Sequence, residues 1–190
     1  MKTSIYEHIE EDEKVLWSGE AEKFDTFDKT HKKKFIFKTM FLFIAVVAMI
    51  AGYIKVSYIN DGVLRLPILI LVALIFVAPT VTFFLDAEKL KKKVKYIITD
   101  RRLIVINDVA RDMPFAAIKE AEMRTDEDGH TSLLCGDYAR KLKANQIRNR
   151  AVIGVATRDE DTGICKQFVF YALPESQKIK QLLKSYIPLA

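Results

Sequence analysis

Two long runs of apolar residues dominate the hydropathy pattern of this chain. Residues 66–85 carry no charge, and residues 35–54 carry only Lys38. A helix of twenty residues is about 30 Å long, which matches the hydrocarbon core of a bilayer. The runs therefore predict two membrane-spanning helices, with Pro79 kinking the second and Lys38 extending towards the headgroups. The connecting residues 55–65 include Asn60-Asp61-Gly62, typical of a turn, so we expect a transmembrane hairpin over 35–86.

Lysines flank the predicted hairpin on both sides. They are Lys32, Lys33, Lys34 and Lys38 at the first span, and Lys89, Lys91, Lys92, Lys93 and Lys95 after the second. The connecting loop holds only Lys55 and Arg65. Because Lys and Arg are enriched in cytoplasmic loops, we expect a two-pass protein of the cell membrane with both termini in the cytoplasm.

The N-terminal segment 1–34 is predicted to be cytoplasmic. Ser4 and Glu7 have the spacing of a capping box and predict a short helix over 5–12, followed by an extended stretch over 15–21 with a turn at Ser18-Gly19. Trp17 is either an anchor at the membrane interface or a residue that packs this segment onto the cytoplasmic domain, and we favour packing. Because the first thirty residues are charged throughout, we expect no secretory signal peptide.

From residue 94 onward, apolar and polar residues alternate, which is typical of β-strands. Val94, Tyr96 and Ile98 are expected to share a face, which Leu103 and Val105 continue after a turn over 99–102. Further strands are predicted over 115–123, 130–136, 151–157 and 164–172, the last two joined by a hairpin loop ending at Gly163. Such an order predicts an antiparallel, strongly bent sheet or small barrel over 92–190.

The C-terminal residues have a helical period instead. Pro174 and Glu175 are suited to the first turn of a helix. The apolar residues then recur at helical spacing, at Ile179, Leu182, Leu183, Tyr186 and Ile187. We expect one amphipathic helix that closes an open end of the sheet.

A basic segment over 138–150 interrupts the strand pattern, with five basic residues and no acid. It is either a loop or a short helix with Ala139, Leu142 and Ile147 turned inward. The segment is interpreted as a solvated surface or as a patch that contacts phosphates of lipid or nucleic acid, although only Tyr138 is available for base stacking. The candidate lipid- or partner-binding residues of the chain are Lys91, Lys92, Lys93, Lys95, Arg101, Arg140, Lys141, Lys143, Arg148 and Arg150.

Composition excludes few of the candidate partners and cofactors. The net charge of +5 arises after residue 85, where twenty basic residues face fifteen acids. A mild basic excess is compatible with anionic lipid or nucleic acid, and we do not expect a nucleic-acid partner. Cys135 and Cys165 are expected to be reduced and half-buried. None of the three histidines has a cysteine or carboxylate at a spacing typical of metal ligands, so we predict no metal and no cofactor.

Four short stretches resemble the bacterial pleckstrin-homology (PH)-like membrane proteins. "EKVLWSG" (13–19) resembles the N-terminal motif of that family, and "YIITDRRLIVI" (96–106) resembles the opening of its PH domain at Tyr96, Thr99, Arg102, Leu103 and Ile104. "MPFAAIKEAEM" and "FYALPESQKIKQLL" resemble the next strand and the closing strand and helix. The resemblance implies an α+β membrane protein: a transmembrane hairpin followed by a cytoplasmic, antiparallel, PH-like bent β-barrel closed by a C-terminal amphipathic helix. The segment 138–150 departs from the compact family pattern.

We consider three functions. The first is a membrane-anchored, non-catalytic binding module that recognises a protein partner or an anionic lipid headgroup at the inner leaflet. The second is an assembly subunit of a larger membrane complex or a homo-oligomer, with Ala45, Ala48, Ala51 and Gly52 allowing close helix approach or merely packing the two spans together. The least favoured is an enzyme acting on lipid or peptide, because the sequence contains no G-x-S-x-G, H-E-x-x-H or P-loop motif.

Overall fold

The computed structural model describes residues 9–60, 66–107, 109–153 and 167–189, and over these ranges the chain has an α+β structure. It divides into two compact units. The helical unit comprises residues 26–86, and the second unit, here called the sheet unit, combines the residues up to 25 with those from 87 onward. The predicted segment 1–34 is thus divided between the two units.

The helical unit contains two long apolar helices, α1 (Lys29–Asn60) and α2 (Leu66–Lys92), of which the last residues of α2 belong to the sheet unit. Their most apolar windows have mean hydropathies of 2.3 and 2.8, and only 6% of each window is buried. Both helices are therefore long and apolar enough to cross a membrane. They extend beyond the predicted spans because the flanking polar residues continue the helices. The predicted turn at 60–62 lies largely outside the described residues.

Local side-chain contacts organise the helical unit at the start of α1. Asp28 precedes the first helical residue, and its Oδ1 accepts a hydrogen bond of 2.7 Å from the backbone N–H of His31, as expected of an N-cap. The imidazole Nδ1 of His31 lies 2.6 Å from the same oxygen. An aromatic cluster contains Phe27, Phe35, Phe83 and Phe84, with ring centroids 4.5 to 5.9 Å apart.

A four-stranded antiparallel sheet with strand order β1-β2-β3-β4 opens the sheet unit. The strands are β1 (Val15–Glu20), β2 (Lys95–Thr99), β3 (Arg102–Ile106) and β4 (Ala110–Pro114). In the first pair, Trp17 lies opposite Ile98 and Glu20 lies opposite Lys95. β1 and β2 are therefore neighbours in the sheet although α1 and α2 lie between them in the sequence.

A second antiparallel sheet has the order β5-β6-β7, with strands β5 (Ala121–Thr125), β6 (Thr131–Cys135) and β7 (Phe168–Phe170). Two short helices, α3 (Asp137–Arg140) and α4 (Ala144–Ile153), follow β6. The C-terminal helix α5 (Ser176–Leu183) confirms the predicted amphipathic helix, since Ile179 and Leu183 are fully buried. Tyr186 and Ile187 lie beyond its last residue, and Tyr186 is exposed.

One main hydrophobic core joins both sheets and the helices of the sheet unit. The predicted alternation is confirmed, because Tyr96 and Ile98 of β2 and Leu103 and Val105 of β3 all lie in this core. The Tyr96 ring stacks on Phe170 of the second sheet with centroids 4.5 Å apart. Its hydroxyl accepts a hydrogen bond of 3.1 Å from the backbone N–H of Tyr171. Burial raises the pKa of the Tyr96 hydroxyl, so the group stays protonated as a core residue.

The first sheet is also covered on its other face. Ile97, Ile104 and Ile106 form a second buried cluster, with Val15 and Ala110 packed against it. This explains why 96–98 and 103–106 are runs of consecutive apolar residues instead of alternating strictly.

The structure corrects three parts of the predicted architecture. First, the described strands form two separate sheets and do not close into a barrel. Second, the strand predicted over 115–123 is a 3₁₀ turn at Phe115–Ala117 followed by β5, because Pro114 starts the turn. Third, residues 151–153 of the strand predicted over 151–157 continue α4, where Ala151 and Val152 are buried. A short apolar run fits a buried helical face as well as a strand.

Other predictions fall partly or wholly outside the described residues. Of the strand predicted over 164–172, the structure describes β7 and the residues around it. The capping box at Ser4 and Glu7, the hairpin loop at 158–163 and Cys165 are outside. Cys135 is completely buried, not half-buried, and burial raises the pKa of its thiol. The extended N-terminal stretch is confirmed as β1, whereas the turn expected at Ser18-Gly19 is wrong, because both residues pair with β2.

Gly19 illustrates how β1 is fitted to the sheet. A Cβ at this position would lie 2.6 Å from Cζ2 of Trp17, because the indole lies over the glycine. Trp17 itself is half-buried and packs against the main core, as favoured from the sequence. A side chain at Gly19 would therefore displace the indole from the core.

We predict that Gly19→Ala destabilises the sheet unit by about 1–3 kcal/mol, the usual range for overpacking. A loss of stability would be informative, because replacing Gly by Ala within a strand normally stabilises it. The measurement is the rate of thiol labelling at the buried Cys135 in the detergent-solubilised full chain, located by mass spectrometry. The cost should shrink in a Trp17→Leu background, and an equal cost in both backgrounds would show that the indole contact is not the cause.

Candidate functional site

A buried ion pair attaches the N-terminal segment to the β2–β3 turn. The Glu13 side chain has no exposed area and accepts two hydrogen bonds from Arg102, at 2.9 Å from Nε and 2.7 Å from Nη2. The Thr99 hydroxyl donates a third hydrogen bond to Glu13, at 2.7 Å. Thr99 Oγ1 in turn accepts the backbone N–H groups of Arg101 and Arg102 and so closes the turn.

The electrostatics of this cluster favour the charged pair strongly. The bidentate hydrogen bonds from Arg102 lower the pKa of Glu13 from 4.5 to about 2, although burial opposes this shift, and Thr99 adds to the lowering. The pKa of the Arg102 guanidinium is raised for the same reason, with Asp112 as an additional partner at 3.1 Å. Arg102 is therefore held in place by contacts within the sheet unit.

Two exposed contacts flank the buried pair. The backbone N–H of Lys14 donates to Oδ1 of Asp100 at 3.1 Å, and the backbone N–H of Asp100 donates to the carbonyl of Lys14 at 3.0 Å. Arg101, one of the candidate binding residues, is half-exposed and pairs with Asp12 at 2.6 Å. The Asp12 carboxylate raises the pKa of Arg101, and Arg101 lowers that of Asp12. Arg101 is thus engaged with the N-terminal segment.

The candidate lysines at the end of α2 lie on one side of an amphipathic helical turn. Ala87 and Leu90 of this turn, and Val94 after it, are buried in the main core, whereas Lys91, Lys92 and Lys93 are exposed. Lys91 Nζ lies 5.0 Å from the ring centroid of Phe24. Lys92 pairs with Glu88, and Lys95, half-buried in β2, lies 3.8 Å from Glu20.

The basic segment 138–150 forms the two helices α3 and α4, with Ala139, Leu142 and Ile147 buried as predicted for a helical segment. Its five candidate cations separate into two groups. Arg140 pairs with Glu120, and Arg148 is 1% exposed, so the latter is not a surface residue. Of the others, Lys141 and Lys143 are exposed and Arg150 is partly buried, and the Arg150 guanidinium donates to the Tyr138 hydroxyl at 3.2 Å.

Arg148 instead takes part in a buried aromatic cluster. Its guanidinium lies 5.6 Å from the ring centroid of Phe24, which makes an edge-to-face contact with Tyr171 at 5.2 Å. His130 lies 6.3 Å from Phe24 and 3.4 Å from Asp126. The prediction that Arg148 contacts a lipid or partner is wrong, because the sequence shows that the side chain is charged but not whether it points to the core or to solvent.

A groove lies beside the N-terminus of α5, where no sequence pattern indicates a site. It is lined by Glu22, Thr131, Glu175 and Lys178, among others, and Lys178 Nζ pairs with Glu175 at 2.9 Å. Ala172 and Glu175 have left-handed backbone conformations, with φ of 49° and 50°. Residues other than glycine rarely adopt this conformation, and a single sequence does not indicate where it occurs. Within the described ranges, no group of three or more His, Cys, Asp and Glu residues is placed to hold a metal ion.

Comparison of this chain with protein-family models, with curated proteins and with solved structures finds no match. The resemblance to PH-like membrane proteins therefore stays a prediction.

We predict that Glu13→Gln destabilises the sheet unit by about 3 kcal/mol at neutral pH, from the difference between a folded pKa of about 2 and an ordinary value of 4.5. Because the folded pKa is depressed, this stabilisation is fully present above the ordinary pKa and is lost as the pH falls towards 2. Wild-type stability should thus decline between about pH 5 and 2, and the variant should lack this part of the decline.

Fluorescence of Trp17, the only tryptophan, measures this unfolding in the detergent-solubilised full chain. Asp12→Asn is the matched control, because it removes one carboxylate from the exposed Arg101 pair and should have a much smaller effect. Equal destabilisation by the two variants, or an unchanged acid limb in Glu13→Gln, would contradict the assignment.

Proposed function

We propose that this protein is a membrane-anchored, non-catalytic binding module. The two long apolar helices span the membrane, and the sheet unit lies at its cytoplasmic surface. There the sheet unit recognises an anionic lipid headgroup or a protein partner.

The pairing of β1 with β2 is the observation that carries this proposal. Both apolar helices lie in the sequence between β1, which ends at Glu20, and β2, which begins at Lys95. Two strands in one sheet must lie on the same side of a membrane, because an open sheet does not extend through a bilayer. An even number of crossings meets this requirement, and two helices provide it.

The distribution of lysines supports the cytoplasmic side. Lys32, Lys33 and Lys34 are exposed near the start of α1, and three more exposed lysines end α2. By the positive-inside rule, both of these ends belong in the cytoplasm. The apolar residues of the last turn of α2 are buried in the sheet unit, whereas the lysines of this turn are exposed, as expected of cations that face anionic headgroups.

Neutralising these lysines tests the orientation. We predict that a reporter fused at the C-terminus is cytoplasmic in the wild type, and that Lys91→Gln, Lys92→Gln, Lys93→Gln and Lys95→Gln together give a mixed population. Lys119→Gln, Lys178→Gln, Lys180→Gln and Lys184→Gln remove the same charge from positions away from the spans and should leave the orientation unchanged. A wild-type C-terminal reporter on the outer face would overturn the proposal.

A second function, assembly with another membrane protein or a second copy, is supported by Gly52. A Cβ built at this glycine of α1 would meet no atom within 4 Å, and Ala48, one turn earlier, is exposed. Small residues at i and i+4 let a neighbouring helix approach closely. These two residues are therefore available for a contact outside the pair α1 and α2.

We predict that Ala48→Leu with Gly52→Leu disrupts such an assembly, and that Val47→Leu, also at an exposed position of α1, does not. The measurement is crosslinking in native membranes, followed by identification of the crosslinked species. Identical crosslinking patterns for the wild type and the double variant would exclude this face of α1 as an assembly contact.

A further inference from the structure

The outer face of α3 and α4 is a positively charged surface that faces away from the main core. α4 buries Ile147 and Ala151 in this core, and Ala139 anchors α3 beside them. Lys143, just before α4, and Gln146 and Arg150 within it recur at helical spacing; the first two are exposed and Arg150 is partly buried. The direction of the exposed side chains is thus set by packing. We define the basic face as Tyr138, Lys141, Lys143 and Arg150.

The described acids near the basic face have other partners. Glu120, just before β5, pairs with Arg140, and Glu122 of β5 binds Arg124 at 2.8 Å. Arg124 also donates to the carbonyls of Arg140 and Leu142, which fixes the turn between α3 and α4. Within the described part of the chain, no carboxylate forms an ion pair with Lys141, Lys143 or Arg150.

Tyr138 and Arg150 form the most organised part of the basic face. The guanidinium of Arg150 lies 5.7 Å from the ring centroid of Tyr138, which is 47% exposed. A planar guanidinium held against an aromatic ring presents its remaining N–H groups in a fixed geometry that suits phosphate oxygens. An exposed tyrosine beside cations is also typical of residues at a membrane interface.

We propose that the basic face docks on the phosphates of anionic phospholipids in the membrane that holds α1 and α2. This inference rests on the proposed function, and it selects lipid over a protein partner for this face. We favour lipid over protein because of charge complementarity: three cations without carboxylate partners match a surface of phosphates. A nucleic acid is disfavoured because Tyr138 is the one aromatic residue on the face, whereas single-stranded binding uses several stacking rings.

The test uses the full chain in lipid nanodiscs that contain either zwitterionic lipid alone or about one third anionic phospholipid. The rate at which an amine reagent modifies each lysine is read by mass spectrometry. We expect Lys141 and Lys143 to react at least about threefold more slowly in the anionic discs at low salt, and the difference to vanish at about 1 M salt, where screening is nearly complete. Lys184, exposed after α5, serves as the internal reference and should react equally in both discs.

Matched variants separate the basic face from general electrostatics. Lys141→Gln, Lys143→Gln and Arg150→Gln together should abolish the lipid-dependent protection of α4 against hydrogen exchange. Lys119→Gln, Lys180→Gln and Lys184→Gln together have the same net charge and should retain this protection. Loss of protection in both triple variants would overturn the assignment to this face.

The remaining outcomes are also decisive. Protection of Lys141 and Lys143 by inorganic phosphate in zwitterionic discs, without protection by anionic lipid, would overturn the membrane as the source. If Lys89 and Lys92 of α2 and the following Lys93 are protected by anionic lipid while Lys141 and Lys143 are not, this inference fails and the proposed function stands. If neither group is protected, headgroup recognition by the sheet unit fails as a whole.

Discussion

The bonds between Glu13 and Arg102 hold together two parts of the chain that the apolar helices separate in sequence. A carboxylate with no exposed area accepts two hydrogen bonds from one guanidinium and a third from Thr99. Removing one partner of such a buried pair is far more destabilising than removing an exposed one. β1 pairing and the packing of Trp17 over Gly19 depend on the same junction, so the sheet unit requires residues from both sides of α1 and α2.

This constraint bears directly on the proposed membrane topology. A domain whose first strand precedes a hairpin and whose second strand follows it forms only when both ends of the hairpin lie on one side. Phe24, just before α1, and Lys91, near the end of α2, lie in contact within the sheet unit. In the proposed function, insertion of the two helices would bring β1 and β2 to the same side of the membrane, and the flanking lysines predict that this side is cytoplasmic.

Much of the architecture is predictable from local pattern. The long apolar runs predict α1 and α2, and alternation predicts the shared face of Tyr96 and Ile98, because burial imposes the period of each element. β4 was missed because Met113 is its only buried residue, and a strand that carries Arg111 and Asp112 has no apolar alternation. Arg148 was misplaced because charge predicts exposure on average but carries no direction. The partnership of Glu13 with Arg102 joins residues 89 positions apart, and the strained backbone at Ala172 leaves no mark in composition. Single-sequence patterns do not encode either.

The pairing of β1 with β2 across α1 and α2 is tested most directly by a disulfide between two facing positions. Glu20 and Lys95 lie opposite each other in the sheet, and directly opposed residues of antiparallel strands are within disulfide range. Glu20→Cys with Lys95→Cys, in a chain with both native cysteines replaced by alanine, should form an intramolecular disulfide on mild oxidation of isolated membranes. Glu20→Cys with Lys119→Cys is the control and should not. Absence of the intramolecular bond in the first variant, or equal bonding in the two, would contradict the account.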